Sequence, residues 1–128
     1  MTELGALAAR MGIVVTEASA ERVVATMPVE GNTQPYGLLH GGASCVLAET
    51  VGSIGAALGA KDGRLPVGVD LNATHHRAVR TGTVTGVATP LRQGRTVASW
   101  AVSISDEAGR LVCTARLTCA LLDPSVAP

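Results

Sequence analysis

The chain has 128 residues, no net formal charge at pH 7, and 47% apolar residues against 2% aromatic. That length suits one domain with a real core, and the apolar share excludes a disordered chain. Charge neutrality and the scarcity of rings argue against DNA, single-stranded nucleic acid and anionic membrane as partners.

Residues 2–10 read as a short helix with Thr2 as its cap. No basic region followed by an apolar stretch and a cleavage site is found there, so no signal peptide is expected. Residues 13–16 and 21–28 read as strands, the second alternating Val23, Val24 and Met27 with polar residues. Residues 31–37 are turn-rich, with Asn32, Pro35 and Gly37. The apolar run at residues 40–60 is too long for a strand. It is apolar on every face, as a buried helix is. Its five glycines each cost about 1 kcal/mol relative to Ala, so close packing must compensate. A central Glu49 makes a membrane span of this segment a poor expectation.

Four strand-like segments follow, at residues 67–79, 83–91, 96–105 and 111–122. Short links between them predict a four-stranded antiparallel meander. Residues 124–128 read as a frayed tail. The expected class is α+β, one domain over residues 1–128. Cys45, Cys113 and Cys119 are an odd set without tight spacing, which fits a reducing cytoplasm rather than a disulfide framework.

Glu49 is the lone charge in the long apolar segment. A buried carboxylate must find a partner, stay near a cleft or take up a proton. Alone it reads equally well as a structural ion pair or part of a solvent-facing stripe. Ser53 lies one turn later on the same face. The segment opens with His40-Gly41-Gly42, where free N–H groups suit an oxyanion. Gln34 sits upstream with an amide that can donate to a carbonyl. His40, His75, His76 and the cysteines lack metal-ligand spacing, so no metal is expected. Ser44 and Ser53 lack the flanking glycines of a serine-hydrolase elbow. Arg77, Arg80, Arg92 and Arg95 fall in a stretch with no acidic residue, a charge of +4 suited to a phosphorylated ligand. His75 and His76, adjacent in a strand, are expected to face opposite sides.

Three stretches carry a resemblance. They are Met27-Pro28-Val29, the run from Gln34-Pro35-Tyr36-Gly37 through His40-Gly41-Gly42-Ala43-Ser44, and Leu47-Ala48-Glu49-Thr50-Val51-Gly52-Ser53. Together they resemble the hotdog-fold thioesterases, in the 4-hydroxybenzoyl-CoA and dihydroxynaphthoyl-CoA branch with a helix carboxylate. The likeness continues through Asn72-Ala73-Thr74-His75-His76-Arg77 and Arg116-Leu117-Thr118. It implies a curved antiparallel sheet wrapped around one central helix. It also implies a homo-oligomer, a dimer of dimers with sites between subunits. The activity implied is hydrolysis of an aryl- or medium/short-chain acyl-CoA, with no cofactor beyond the coenzyme A of the substrate. Glu49 would attack the thioester or activate water, and the Gly41 N–H and Gln34 would polarise the carbonyl. Ser53 would position water or acyl group, and His40 would shape the turn. Gly68, His75, His76, Arg77, Ala78, Arg92, Gln93, Gly94, Arg95, Thr96 and Val97 would hold CoA. Val51, Ile54 and Leu58 would line the acyl pocket. The rival readings are a hotdog hydratase or dehydratase and a non-enzymatic acyl-CoA-binding module. Against the first, Asp70-Leu71-Asn72-Ala73-Thr74-His75 lacks the hydratase proline and follows the helix. Against the second, the chain has no basic DNA-binding helix.

Overall fold

A computed structural model describes residues 4–126. In chain order the elements are helix α1 (Ala6–Met11), strands β1 (Val14–Ala18) and β2 (Val23–Pro28), and helix α2 (Gly41–Gly59). Strands β3 (Leu65–His75), β4 (Thr83–Gln93), β5 (Val97–Ser105) and β6 (Leu111–Leu122) follow, then one 3-10 turn at Pro124–Val126. Helix α1 begins after Gly5 with no side-chain cap, and the expected cap Thr2 lies outside the described residues. The expected tail is partly ordered, because the Asp123 carboxylate accepts from the Ser125 N–H at 2.9 Å and hydroxyl at 2.7 Å. Ala127 and Pro128 lie outside the described residues.

All six strands form one antiparallel sheet in the order β1-β2-β4-β5-β6-β3, with α2 packed across it. The resemblance's expected hotdog architecture is therefore present. The four-stranded meander is not. Of the four expected strands only β4, β5 and β6 follow one another as neighbours, while β3 pairs with β6 at the sheet's far edge. The cause is that β3 ends at His75, earlier than expected, so His76 to Gly82 form a link long enough to cross the sheet.

Period-2 burial on β2, β4, β5 and β6 builds the core from one sheet face. Val23, Ala25, Met27, Val84, Ala88, Trp100, Val102, Ile104, Leu117 and Leu121 lie on it, nearly inaccessible. Helix α2 answers with Ala43, Ser44, Leu47, Ala48, Val51, Gly52, Gly55 and Ala56, a stripe at helical spacing. The expectation of a helix buried on every side is thus corrected. One stripe is buried in the chain, and Glu49, Ala57 and Leu58 on the opposite side are exposed. The glycines do what their cost demands. A Cβ at Gly55 would run into the Trp100 ring, and one at Gly52 would lie 2.7 Å from a Leu117 methyl, so the small stripe sets the helix–sheet distance.

Candidate active site

The start of α2 is held from several directions. Buried Asn32 donates through Nδ2 to the carbonyls of Met11 and Pro28, both at 2.8 Å, and its own carbonyl accepts from the His40 N–H at 2.9 Å. This pins the loop between β2 and α2 to the end of α1. Within the loop, the Gln34 N–H donates to the Leu38 carbonyl at 2.8 Å. Gln34 Oε1 accepts from the backbone N–H groups of Tyr36 at 2.5 Å and Leu38 at 3.3 Å. With its oxygen occupied, the amide keeps its Nε2 hydrogens as donors.

His40 is the N-cap, and its Nδ1 accepts from the Gly42 N–H at 2.8 Å. The imidazole so takes the role usually filled by Ser or Asp. The Gly41 N–H, one residue earlier, has no partner among the described residues. A Cβ at Gly41 would lie 2.9 Å from His75 Nε2, so the imidazole of His75 covers this turn and glycine permits it.

Gln34, Leu38, Leu39, Gly41, Ser44, His75, His76, Arg77, Ala78 and Val112 line a cavity of about 400 Å³. His75 and His76 therefore share one cavity, against the expectation from strand alternation. Alternation lapses because the strand ends at His75 and the N–H of His76 turns to the Val112 carbonyl at 2.7 Å. His76 Nε2 is within 2.8 Å of Thr114 Oγ1.

Glu49 lies elsewhere on α2. Eight residues separate it from Gly41, about 12 Å along a helix. Its carboxylate rests against Gly68 of β3, where an added Cβ would collide with it. Ser53, one turn on, has its hydroxyl at the Cys119 thiol. Burial pushes the Cys45, Cys113 and Cys119 thiols up, and the nearby Glu49 charge adds to the rise at Cys45 and Cys119. Raised thiols stay protonated and are poor nucleophiles at neutral pH.

The expected CoA residues fall in three places. His75, His76, Arg77 and Ala78 are at the cavity and Gly68 is beside Glu49. Arg92, Gly94, Arg95, Thr96 and Val97 line a separate cavity of about 250 Å³ at the β4–β5 turn. The paired registers put His75 and Val97 seven β6 residues apart, Cys113 to Ala120, about 23 Å along a strand. The arginines are likewise two pairs at opposite ends of the sheet rather than one patch. Gln93 turns inward and is spent. Its Nε2 donates to the Ala56 carbonyl at 3.1 Å, and its Oε1 accepts from Trp100 Nε1 at 2.9 Å. Val51 is fully buried in the core, whereas Leu58 is exposed.

Comparison with known proteins agrees with this architecture. The sequence pattern of the thioesterase superfamily matches residues 36–113, from the Gln34 loop through α2 to β6. The chain belongs to the thioesterase superfamily. This thioesterase is 48% identical over 122 residues to the proofreading thioesterase EntH of Cronobacter sakazakii, covering 94% of this chain and 89% of that protein. Among solved structures it is similar to thioesterase HI1161 of Haemophilus influenzae, with 41% identity and a TM-score of 0.87 over 91% of this chain and 82% of that one. It is also similar to a variant of thioesterase PA1618 of Pseudomonas aeruginosa, with 39% identity and a TM-score of 0.87 over 91% and 86%. The chain is a thioester hydrolase with the hotdog fold. Sequence reasoning missed Asn32 as the anchor of the site loop and Ser44 as a lining residue.

Proposed function

We propose that the thioester is an acyl-CoA, aryl or short- to medium-chain, and that Glu49 is the catalytic carboxylate. One observation carries this reading. The Gly41 N–H has no partner among the described residues, at the start of a long helix and in a cavity that also holds Gln34. Such a donor stabilises the charge that builds on a thioester oxygen, and it is worth most where water is excluded. Glu49 supplies the attack, either by taking a proton from water or by adding to the carbonyl carbon itself. Oxygen-18 from solvent would enter the Glu49 carboxyl in a single turnover only in the second case. Ser53 positions the attacking group.

The helix rises about 12 Å from Gly41 to Glu49. The Glu49 carboxylate rests against Gly68, away from the residues that line the Gly41–Gln34 cavity, whereas it and the Gly41 N–H must both come to about 3 Å of the reacting carbonyl. The site is therefore completed by a second copy. The edge strand β3 supports this, with Leu65, Val67 and Val69 at 45%, 41% and 62% exposure beside Glu49. An unpaired apolar edge is satisfied by a twofold copy of itself. Antiparallel pairing of two β3 strands would run the two α2 helices in opposite directions, turning the Gly41 end of one toward Glu49 of the other. Two such dimers would make the tetramer. Arg77 faces the phosphates of CoA, and no cofactor is needed beyond the substrate. The free thiols suit a reducing cytoplasm.

The test is thiol release from benzoyl-, phenylacetyl- and short-chain acyl-CoAs. The wild type should turn over at least one of them, and Glu49→Gln should abolish turnover while melting as the wild type does. Near-normal hydrolysis by Glu49→Gln would end the assignment.

A further inference from the structure

We propose that the Ser44 hydroxyl is a second fixed donor to the substrate's carbonyl oxygen, acting beside the Gly41 N–H. The inference rests on the hydrolytic reading above. Ser44 is 1% exposed, one of two buried polar residues among the described ones. Its hydroxyl has no hydrogen-bond partner among the described residues. Thr50 on the same helix shows the usual alternative, its hydroxyl turned back to the Val46 carbonyl at 2.6 Å. The other buried polar residue, Asn32, has both amide hydrogens engaged. Ser44 differs from both, and, unlike the buried unpaired Arg64 Nε, it lines the cavity shared with Gly41 and Gln34.

The helix geometry explains where it points. Residues three apart lie on one face, and side chains tilt toward the helix N-terminus. The Ser44 hydroxyl therefore leans back toward the turn that carries the unpartnered Gly41 N–H. An unpaired buried hydroxyl is a cost to the folded chain, and an alanine would remove it without changing the packing. Binding a ligand oxygen recovers that cost. When water adds to the thioester carbon, its proton passes to Glu49 and the C=O π pair moves onto oxygen. The two donors hold that oxyanion. The pair then returns, the C–S bond breaks, and the departing thiolate takes the proton from Glu49. A donor that bonds the oxyanion more strongly than the carbonyl raises kcat and leaves KM nearly unchanged.

The experiment compares wild type, Ser44→Ala and Ser44→Cys for kcat, KM and melting temperature with an acyl-CoA that the wild type hydrolyses. Ser44→Ala is expected to lose roughly 100-fold in kcat, with little change in KM and a melting temperature equal to or above that of the wild type. Ser44→Cys, a weaker donor of similar shape, should fall between. A purely structural serine would give the opposite: kcat per folded molecule unchanged in both variants, whatever the melting temperature does. That result overturns the inference alone. If the wild type releases no thiol from any acyl-CoA, the hydrolytic reading fails and takes the inference with it.

Discussion

The two ends of α2 are built from the same small residues but handle their polar groups in opposite ways. At the Gly59 end the amide that meets the helix is engaged through both its atoms. Gln93 joins the Ala56 carbonyl to the Trp100 indole, and Gly55 and Gly59 bring helix and side chains into contact. At the Gly41 end the pairing is incomplete. His40 caps Gly42, yet the Gly41 N–H, the Ser44 hydroxyl and Gln34 Nε2 have no partner among the described residues. A buried donor without a partner costs stability. On the proposed reading, the Gly59 end holds the fold and the Gly41 end receives the ligand.

Substitutions at the two ends should therefore separate activity from stability. The largest effect is expected for Gln34→Ala, which removes a donor at the open end. It should lower kcat by roughly 100-fold with the melting temperature nearly unchanged. Steady-state kinetics alongside thermal melting checks this, and a lost fold instead of a lost rate would make Gln34 a structural residue. A smaller and different effect is expected for Gln93→Ala at the closed end. It leaves the Trp100 N–H and the Ala56 carbonyl unpaired, at about 1–3 kcal/mol for each buried group. Chemical denaturation should show that loss while kcat per folded molecule stays within about twofold, an ordinary outcome for a change remote from the site. Equal losses of rate from both variants would erase the distinction between the ends.

Much of the open end was legible in the sequence because its signals are local. A helix start needs His-Gly-Gly within three residues, and one charge in a long apolar segment stands out without any knowledge of the fold. The closed end and the assembly were not legible, because they depend on which strands meet. Residues 67–79 looked like one strand, and only the early end at His75 frees the link that carries the chain across the sheet. That end also brings His75 and His76 into one cavity. Gln93 sits beside two arginines and reads as a ligand contact, yet the β-bulge between Pro90 and Arg92 comes just before it and its side chain turns toward the helix. Asn32 looked like a turn residue, and its role as anchor requires Met11 and Pro28 to come together. The helix that carries Glu49 was expected to be buried on every side, and Glu49 itself is exposed. Its neighbours Gly68, Ser53 and Cys119 lie near the free sheet edge, where a second copy would cover it.

The central claim is that one catalytic site takes Glu49 from one chain and the Gly41–Gln34 end from another. Co-expressing Glu49→Gln with Gln34→Ala tests it most directly. Each variant alone is nearly inactive, but a mixed dimer would hold one intact site and one doubly damaged site. Random pairing in equal amounts should restore about a quarter of the wild-type kcat. No recovery in a mixture shown by mass spectrometry to contain mixed dimers would mean that each site is built within a single chain, and the account would be wrong.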